Sequence, residues 1–596
     1  MLRHSCCLLT VLLIPGLAAG QPLTAGEWLV HMGRDYPLSA QASVTNADAR
    51  ITLLFMQAAA RVDPALAEPW FWQADMLAAL DRPADQRAAL AQYLQRRPDD
   101  VITWLKWIEL SADTMQTAEQ RAEFYRATLR DAERFPPEVR SDLHRRLAEY
   151  HWNRGERGQA EEQARAAVDD FKMNFAAQRV LDEAQGVEQT PARRLEWALA
   201  GMVLNPADLA QAQNIGDMLT AWGLAGDAET WYAHAARLRT LATGQVGASS
   251  QPAADVSATS RPAPATQPAP PEVGAVVTGF PRAVLDYPFH PSKYLSLAWQ
   301  MSKPELQPGE PWRCTVKLTN VGTFPITFGE ERMLMPELLC SITTRGDQER
   351  TSGPSIRLSL QLKLRLVPGE SIETTTTLDV GPIRASMIGT PQVTQQVEVA
   401  GVLSPVRLVL LDGREAWVPA IGGMAAPTLR FKRTGFTATP AHVQAVIARS
   451  QAANPQDRIL GMELAAMLLA ERQHLDAGRL RYTAERVDPA MLQTAVLARA
   501  ADPDWQVRAR LTECMRWFLL DATATQAATQ LLSDENWLVR GLALRMLADQ
   551  HREKFLPVLR RVAQSDGDEW VRGMAAALAE RLAPTTQPAE TRPAGG

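Results

Sequence analysis

The sequence predicts a multidomain α and β protein, with an N-terminal α-solenoid, a central β-sandwich and a C-terminal α-solenoid. Three observations lead there. Near the C-terminus a motif recurs every 32 residues, as Asp502-Pro-Asp-Trp-Gln-Val-Arg508, Asp534-Glu-Asn-Trp-Leu-Val-Arg540 and Asp566-Gly-Asp-Glu-Trp-Val-Arg572. A fixed period of this size is that of stacked helical hairpins, because one hairpin cannot bury its apolar face alone. Between residues 278 and 435 the period drops to two. There Ile356, Leu358, Leu360, Leu362, Leu364 and Leu366 alternate with Arg357, Ser359, Gln361, Lys363 and Arg365, the pattern of a long half-buried strand. Residues 25–242 are helical in spacing, with turns marked by Pro and Gly.

Taken in order, residues 1–20 read as a secretory signal. Arg3 supplies the positive start, Leu8 to Ile14 the apolar core, Pro15-Gly16 the break and Ala18-Ala19-Gly20 the small residues before Gln21. Cys6 and Cys7 precede the apolar core, which argues against a lipoprotein signal. The expected destination is the periplasm or cell envelope. The mature chain keeps Cys314, Cys340 and Cys514, too few for a disulfide scaffold. For Cys314 and Cys340, on candidate strands, a disulfide and a pair of buried thiols both stay open. At 596 residues the chain is too long for one core. Its net charge of −5 offers no basic footprint for nucleic acid. No apolar run reaches the roughly 18 residues of a membrane span, so no transmembrane segment is expected after signal cleavage.

In the N-terminal helical region, Leu147-Ala148, His151, Gly155, Ala160, Ala164 and Ala167 share their offsets with Ile215-Gly216, Leu219, Gly223, Ala228, Tyr232 and Ala235. Small residues let two antiparallel helices approach, and Gly ends the first of them. These two stretches resemble tetratricopeptide (TPR) repeats. Looser copies end at Asp63-Pro64, Pro98 and Asn205-Pro206, which makes residues 25–242 a TPR-like array of about five or six units. The resemblance implies that the first helix of each unit lines a concave groove. That places Arg145, Glu149, Trp152 and Asn153, and Gln213, Asp217 and Thr220, on a peptide-binding surface; the alternative is a solvated face. Of Trp70, Trp72, Trp104, Trp107, Trp197, Trp222 and Trp231, most read as core.

Residues 243–277 form a Pro/Ala-rich linker, and the tail 584–596 has the same character; such composition cannot build a core and both are expected to be disordered. A protease cut between Thr243 and Val277 is accordingly predicted to free two folded pieces. In the β region, 278–435, Cys314, Val316 and Leu318 alternate with polar residues, Pro308-Gly309-Glu310 and Pro368-Gly369-Glu370 each launch a strand, and Asp412-Gly413 is a hairpin turn. The segments Leu306-Gln-Pro-Gly-Glu310 and Leu318-Thr-Asn-Val-Gly322 resemble bacterial immunoglobulin-like domains, which implies a fold and no activity.

Residues 438–583 carry the 32-residue period. Asp502, Asp534 and Asp566 are expected as helix N-caps, with Pro503 at a first helical position. An Asp-rich turn, Val-Arg and an alanine-rich helix resemble HEAT-like repeats over roughly residues 480–583. The resemblance implies that Asp502 and Arg508, Asp534 and Arg540, and Asp566 and Arg572 tie one repeat to the next. Upstream, Asn454-Pro-Gln-Asp-Arg-Ile-Leu460 is a degenerate copy. Trp505 and Trp537 fall at one position of the repeat, Trp570 one residue later, and all three read as inter-repeat packing.

No Gly-x-Ser-x-Gly elbow, phosphate-binding Gly-Lys loop, His-Glu-x-x-His pair or Cys-x-x-Cys pair occurs. His144 and His151 lie two turns apart on one helix without carboxylates at ligand spacing, and Asp566-Gly-Asp-Glu lacks the remaining ligands of a calcium loop. No catalytic, cofactor or metal residue is assigned. The expected function is that of an exported, non-enzymatic adaptor or scaffold binding protein or peptide partners in the cell envelope. Two alternatives stand beside it: a hydrolase or glycan-active enzyme with its site in the sandwich, marked by clustered carboxylates in a cleft, and a glycan-binding protein, marked there by a flat row of exposed aromatics.

Overall fold

A computed structural model describes residues 23–39, 45–245, 271–329, 332–360, 363–409 and 415–583. The expected signal, residues 246–270 of the expected linker, the Asp412-Gly413 turn and the tail 584–596 lie outside the described residues.

Twelve helices lead: α1 (Ala25–Ser39), α2 (Asn46–Val62), α3 (Glu68–Ala79), α4 (Pro83–Arg96), α5 (Val101–Ala112), α6 (Ala118–Leu129), α7 (Pro137–Asn153), α8 (Arg157–Asp170), α9 (Phe175–Ala184), α10 (Pro191–Leu204), α11 (Leu209–Ala221) and α12 (Ala225–Gln245). Their starts are written locally. Thr45 with Asp48 and Thr117 with Gln120 form reciprocal capping boxes, and Asp100 and Asp208 accept backbone N–H bonds as N-caps. The turns after α7 and α11 are superimposable in their bonding. Gly155 and Gly223 take φ of 75° and 76°, and Glu156 and Leu224 donate back to the carbonyls of His151 and Leu219. This is the left-handed helix stop that favours glycine. Ala148, Ala160, Ala164 and Ala167 are fully buried between α7 and α8.

Two short helices, α13 (Pro271–Gly279) and α14 (Arg282–Asp286), precede the β region. The expected linker is therefore shorter than its composition suggests: residues 271–277 are helical, because Val273 buries itself against Leu195, Met202 and Trp231 of the preceding helices. The strands are β1 (Leu295–Met301), β2 (Glu305–Leu306), β3 (Arg313–Asn320), β4 (Ile326–Thr327), β5 (Glu337–Arg345), β6 (Glu349–Ser359), β7 (Arg365–Leu366), β8 (Ser371–Thr377), β9 (Gln395–Val409), β10 (Glu415–Ala425) and β11 (Leu429–Arg433), with α15 (Gly381–Gly389) between β8 and β9. One sheet runs β1-β3-β8; the other runs β2-β11-β9-β5-β6, with β10 on β9. Val316 and Leu318 of the first face Ile342, Val399 and Phe431 of the second in one core. Cys314 and Cys340, one from each sheet, are free buried thiols in that core, and burial pushes the Cys314 thiol up to about 12. Gly309 and Gly369 have φ of 83° and 82°, and Glu310 and Glu370 each accept the backbone N–H three residues back, so the two Pro-Gly-Glu turns are built alike.

The alternating run from Ile356 to Leu366 is not one strand. β6 stops at Ser359, Leu364 packs among helices α4 to α7, and Leu366 pairs with Ile326 in a separate two-stranded ladder. Alternation continues through the run, but what it packs against changes.

The C-terminal helices are α16 (Pro440–Ser450), α17 (Pro455–Asp476), α18 (Pro489–Leu497), α19 (Trp505–Cys514), α20 (Ala522–Leu531), α21 (Trp537–His551), α22 (Leu556–Ser565) and α23 (Glu569–Leu582). Their caps lie two residues beyond the expected ones. Asp504, Asn536 and Asp568 accept from Gln506, Leu538 and Trp570, so Pro503 precedes the helix instead of opening it. Asp502, Asp534 and Asp566 instead accept the N–H of those capping residues, at 3.0, 2.8 and 2.8 Å.

The first hairpin touches α3 and α4 through Leu53, but it buries most of its apolar face elsewhere. Trp28, Leu29 and Met32 of α1, and Ile51, Phe55 and Met56 of α2, lie in one continuous core with α16 to α23. α2 stands against α23: Trp570 donates its indole N–H to the Leu54 carbonyl at 2.6 Å, and Arg50 pairs with Glu580 and Arg61 with Asp568. A Cβ on Gly541 would fall 2.1 Å from the Trp570 ring, so that glycine admits the tryptophan. The two pieces expected on either side of the linker are thus interlocked: the chain's first helices complete its last array.

Candidate functional site

The Arg–Asp pairs run from repeat to repeat. Arg508 grips Asp534 with two bonds, at 2.7 and 2.9 Å, and Arg540 grips Asp566 at 3.0 and 2.8 Å. Each arginine also donates to the backbone carbonyl of its own repeat's aspartate: Arg508 to Asp502, Arg540 to Asp534 and Arg572 to Asp566. Arg458, from the degenerate upstream copy, takes the same place against Asp502 at 2.9 Å. The ladder therefore extends one rung above the expected triplet. These pairs sit between helices, well shielded, and the bidentate fork fixes register as well as charge. The Arg540 guanidinium holds the Asp566 carboxyl below the usual range.

Of the expected groove residues, the α7 set is held together. Arg145 bonds Asp142 at 2.6 Å and Glu149 at 2.7 Å, while Arg146 bonds the other Asp142 oxygen. Trp152 is half-buried against Ala148, Ala164 and Val180, with the Arg157 guanidinium over its ring; Asn153 is exposed at the helix end. On α11, Asp217 is exposed and accepts the Tyr232 hydroxyl at 2.7 Å, Thr220 bonds the Gly216 carbonyl, and Gln213 is half-buried. The two sets lie on separate hairpins, with α8, α9 and α10 between them. The β region occupies other parts of this array. Ile102 of α5 packs on the sandwich core, Arg365 lies over Phe171, and Thr327 donates to the Leu204 carbonyl.

A third cluster was invisible in the sequence. Where α1 crosses the sandwich, Glu27 forks onto Arg313 at 3.0 Å, Arg34 donates to Thr376, and Asp35 accepts from the Gly381 N–H at 2.8 Å and from Arg384 at 3.0 Å. From the other side Arg510 bonds Glu463 and lies over Trp28, and Glu513 takes Arg516 and Arg545. Burial alone would raise the Glu513 carboxyl; Arg516, Arg545 and Arg384 overcome it and hold it well below the usual range. His31 is kept neutral by burial and then by Arg384, Arg34 and Arg510. Its Nδ1 lies 3.1 Å from the Thr377 hydroxyl, but the Asp379 carboxylate is 3.9 Å from Nε2, beyond hydrogen-bond reach, so the three do not make a nucleophile–base–acid relay. Periodicity could not reveal this cluster, since its members come from positions 27 to 545 and each is an ordinary surface-type residue in its own segment. Among the described residues, no group of three or more His, Cys, Asp or Glu could hold a metal ion, and no helix is long and apolar enough to cross a membrane.

Asp379 gives a pH prediction. Burial, reinforced by Asp35, raises its carboxyl to about 6 against the pull of the Trp312 N–H and Arg384. A raised acid binds more protons folded than unfolded, so its contribution is full below the unfolded value near 4 and is lost as pH rises through about 6. Asp379→Asn keeps an oxygen for the Trp312 N–H and removes that loss. It should stabilise the chain by about 1–3 kcal/mol at pH 8 and by nothing at pH 4, read from urea melts at both. Equal stability at both pH values would show that Asp379 is not shielded.

Comparison with known proteins adds the following. No curated protein matches the chain. Among solved structures, MamA 41-end from Desulfovibrio magneticus RS-1 matches over 37% of this chain and 97% of its own, at 13% identity and a TM-score of 0.18, a likeness too slight to bear on fold or function. Residues 494–579, the stretch that carries the ladder from Asp502 to Arg572, match the family model for HEAT repeats.

Proposed function

We propose that this chain is an exported scaffold that binds protein partners through its helical repeats, with the N-terminal hairpins acting as TPR-like units beside an immunoglobulin-like sandwich. The observation that carries the reading is the repeat-to-repeat ladder. Arg458, Arg508 and Arg540 each lock one hairpin to the next, and stacking of this kind builds a stiff, extended surface, which suits recognition of another chain. On the N-terminal side the preset row of Asp142, Arg145 and Glu149 and the exposed Asp217 are the contact residues. Their mutual ion pairs pre-organise them, which lowers the ordering cost of binding. The signal-like composition of residues 1–20 supports export, and with it a partner in the cell envelope.

The test is capture from envelope extract by the native chain and by a Glu149→Lys, Asp217→Lys double variant. A protein taken by the native chain and lost from the variant, at unchanged circular dichroism, supports the reading. Identical capture by both removes the α7 and α11 faces from it. Intact mass of the native chain reports export at the same time: a first residue at or near Gln21 is expected, and an intact Met1 sinks that part.

A further inference from the structure

We infer that the free edge of β6, together with α15, is a docking groove for an extended peptide that carries a carboxylate side chain. β6 is the last strand of the six-stranded sheet, and among the described residues no strand pairs with its outer side. Every second N–H and C=O of such a strand points outward without a ladder partner. Ser352 pairs with Ile342 but Ile356 with Cys340, and this bulge limits the regular edge to residues 349–352. A groove of ≈ 470 Å³ lies along that run, within the size range of ligand clefts. Arg350 and Ser352 pair with the buried Thr344 and Ile342, so they stand on the inner face of the sheet, where Arg350 donates to Ser386 of α15 at 2.7 Å. Side chains alternate along a strand, so every second residue of an added strand would stand over α15.

The charge of the groove selects the peptide. Its lining carries Arg350, His474 and Arg479 and no carboxylate. The acids nearby are engaged or turned in: Asp347 lies 3.9 Å from Arg350 with its side chain 8% exposed, and Glu349 pairs with Arg345. Arg479, in the turn after α17, is exposed, and among the described residues it has no ion-pair partner. An aspartate or glutamate of the added strand supplies the acceptor that Arg479 lacks. Small apolar neighbours of that acid would meet Pro382, Ala385 and Leu480. In this mode the backbone ladder supplies affinity and the alternate side chains supply selectivity. A second copy of the chain fits less well, because an isologous contact brings the same basic groove against itself. The surface is separate from the proposed repeat surfaces on α7 and α11.

The probe is a dye-labelled, end-blocked Thr-Val-Glu-Val-Thr peptide, titrated with the intact chain and read by fluorescence anisotropy. Two peptides are compared with it: one with Lys in place of Glu, and one with its central backbone nitrogens methylated, which cannot complete a ladder. Saturable binding of the first alone is expected, with amides of residues 349–352 gaining protection from hydrogen exchange. Arg479→Glu should weaken binding roughly 2- to 10-fold. Ala385→Trp fills the groove and should abolish binding, while the Glu149→Lys, Asp217→Lys double variant should bind as the native chain does. Absence of saturable binding overturns the proposal, as does equal binding of the lysine or the methylated peptide. Loss of binding in the double variant assigns the peptide to the α7 and α11 faces and also overturns it, as does self-association of the chain that the peptide competes away. Undiminished binding by Ala385→Trp overturns the location, and if that variant does not fold, undiminished binding by Arg479→Glu does so.

Discussion

Phe55→Ala, a change in the second helix of the chain, is expected to open the C-terminal array first. Phe55 is fully buried in the core that α1 and α2 share with α16 to α23, and the Arg545 guanidinium lies 4.9 Å from its ring centroid. Truncating a buried phenylalanine costs about 3–5 kcal/mol. The seam as a whole is larger. Trp28, Leu29, Val30, Met32, Ile51, Phe55 and Met56 are all buried in it. At about 1.5–3 kcal/mol each, their burial is worth on the order of 10–20 kcal/mol as an upper bound, comparable with the roughly 5–15 kcal/mol of a whole domain. Hydrogen exchange should therefore show α21 and α23 losing protection in Phe55→Ala while α5 to α12 keep theirs. The same seam changes what a protease does. A cut between residues 246 and 270 should leave two fragments that co-elute until denaturant is added, not two free pieces. Separation on nicking, or loosening confined to α3 to α12, would mean that the first hairpin is not part of the C-terminal core.

Asp502→Ala should be the most damaging change in the ladder. Its side chain is 1% exposed and faces both Arg458, at 2.9 Å, and Arg499, at 3.3 Å. Removing it leaves buried guanidinium charge uncompensated, which costs about 3–5 kcal/mol. Arg540→Ala breaks a more open pair, at 18% and 12% exposure, and leaves Asp566, not Asp502 or Asp534, without its fork. About 1–3 kcal/mol is expected there. Arg540 depresses the Asp566 carboxyl, so its contribution is present above the unfolded aspartate value near 3.9 and is lost as pH falls below it. Melts of the two variants at pH 7 rank them, and a melt of Arg540→Ala at low pH should converge on the parent. If Arg540→Ala melted like the parent at pH 7 and lost partner capture, the ladder would be a binding surface and its stacking role would fall.

How much of this was legible in the residues follows from the range of the interactions. Period 32 in the C-terminal array, the glycine stops at Gly155 and Gly223, and the two Pro-Gly-Glu turns are set by bonds between residues a few positions apart, or by a unit that repeats itself, and the sequence alone determined them. It also determined which Asp and Arg recur. Which Arg meets which Asp was decided by stacking: Arg508 reaches forward to Asp534 because the next hairpin sets its turn there, and Asp502 is left for Arg458. The cap position lies two residues beyond the expected one for a related reason. Asp502 and Asp504 are equally good caps in isolation, and only the facing arginine draws the first out of that role. What tertiary structure decided outright is the seam and the junction. Trp28 and His31 lie hundreds of residues from Arg384 and Arg510, and an amphipathic helix such as α1 specifies that it must bury a face without specifying against what. Hydrophobic burial is non-directional, so the partner is chosen by the shape and charge of the whole assembly, which no local period encodes.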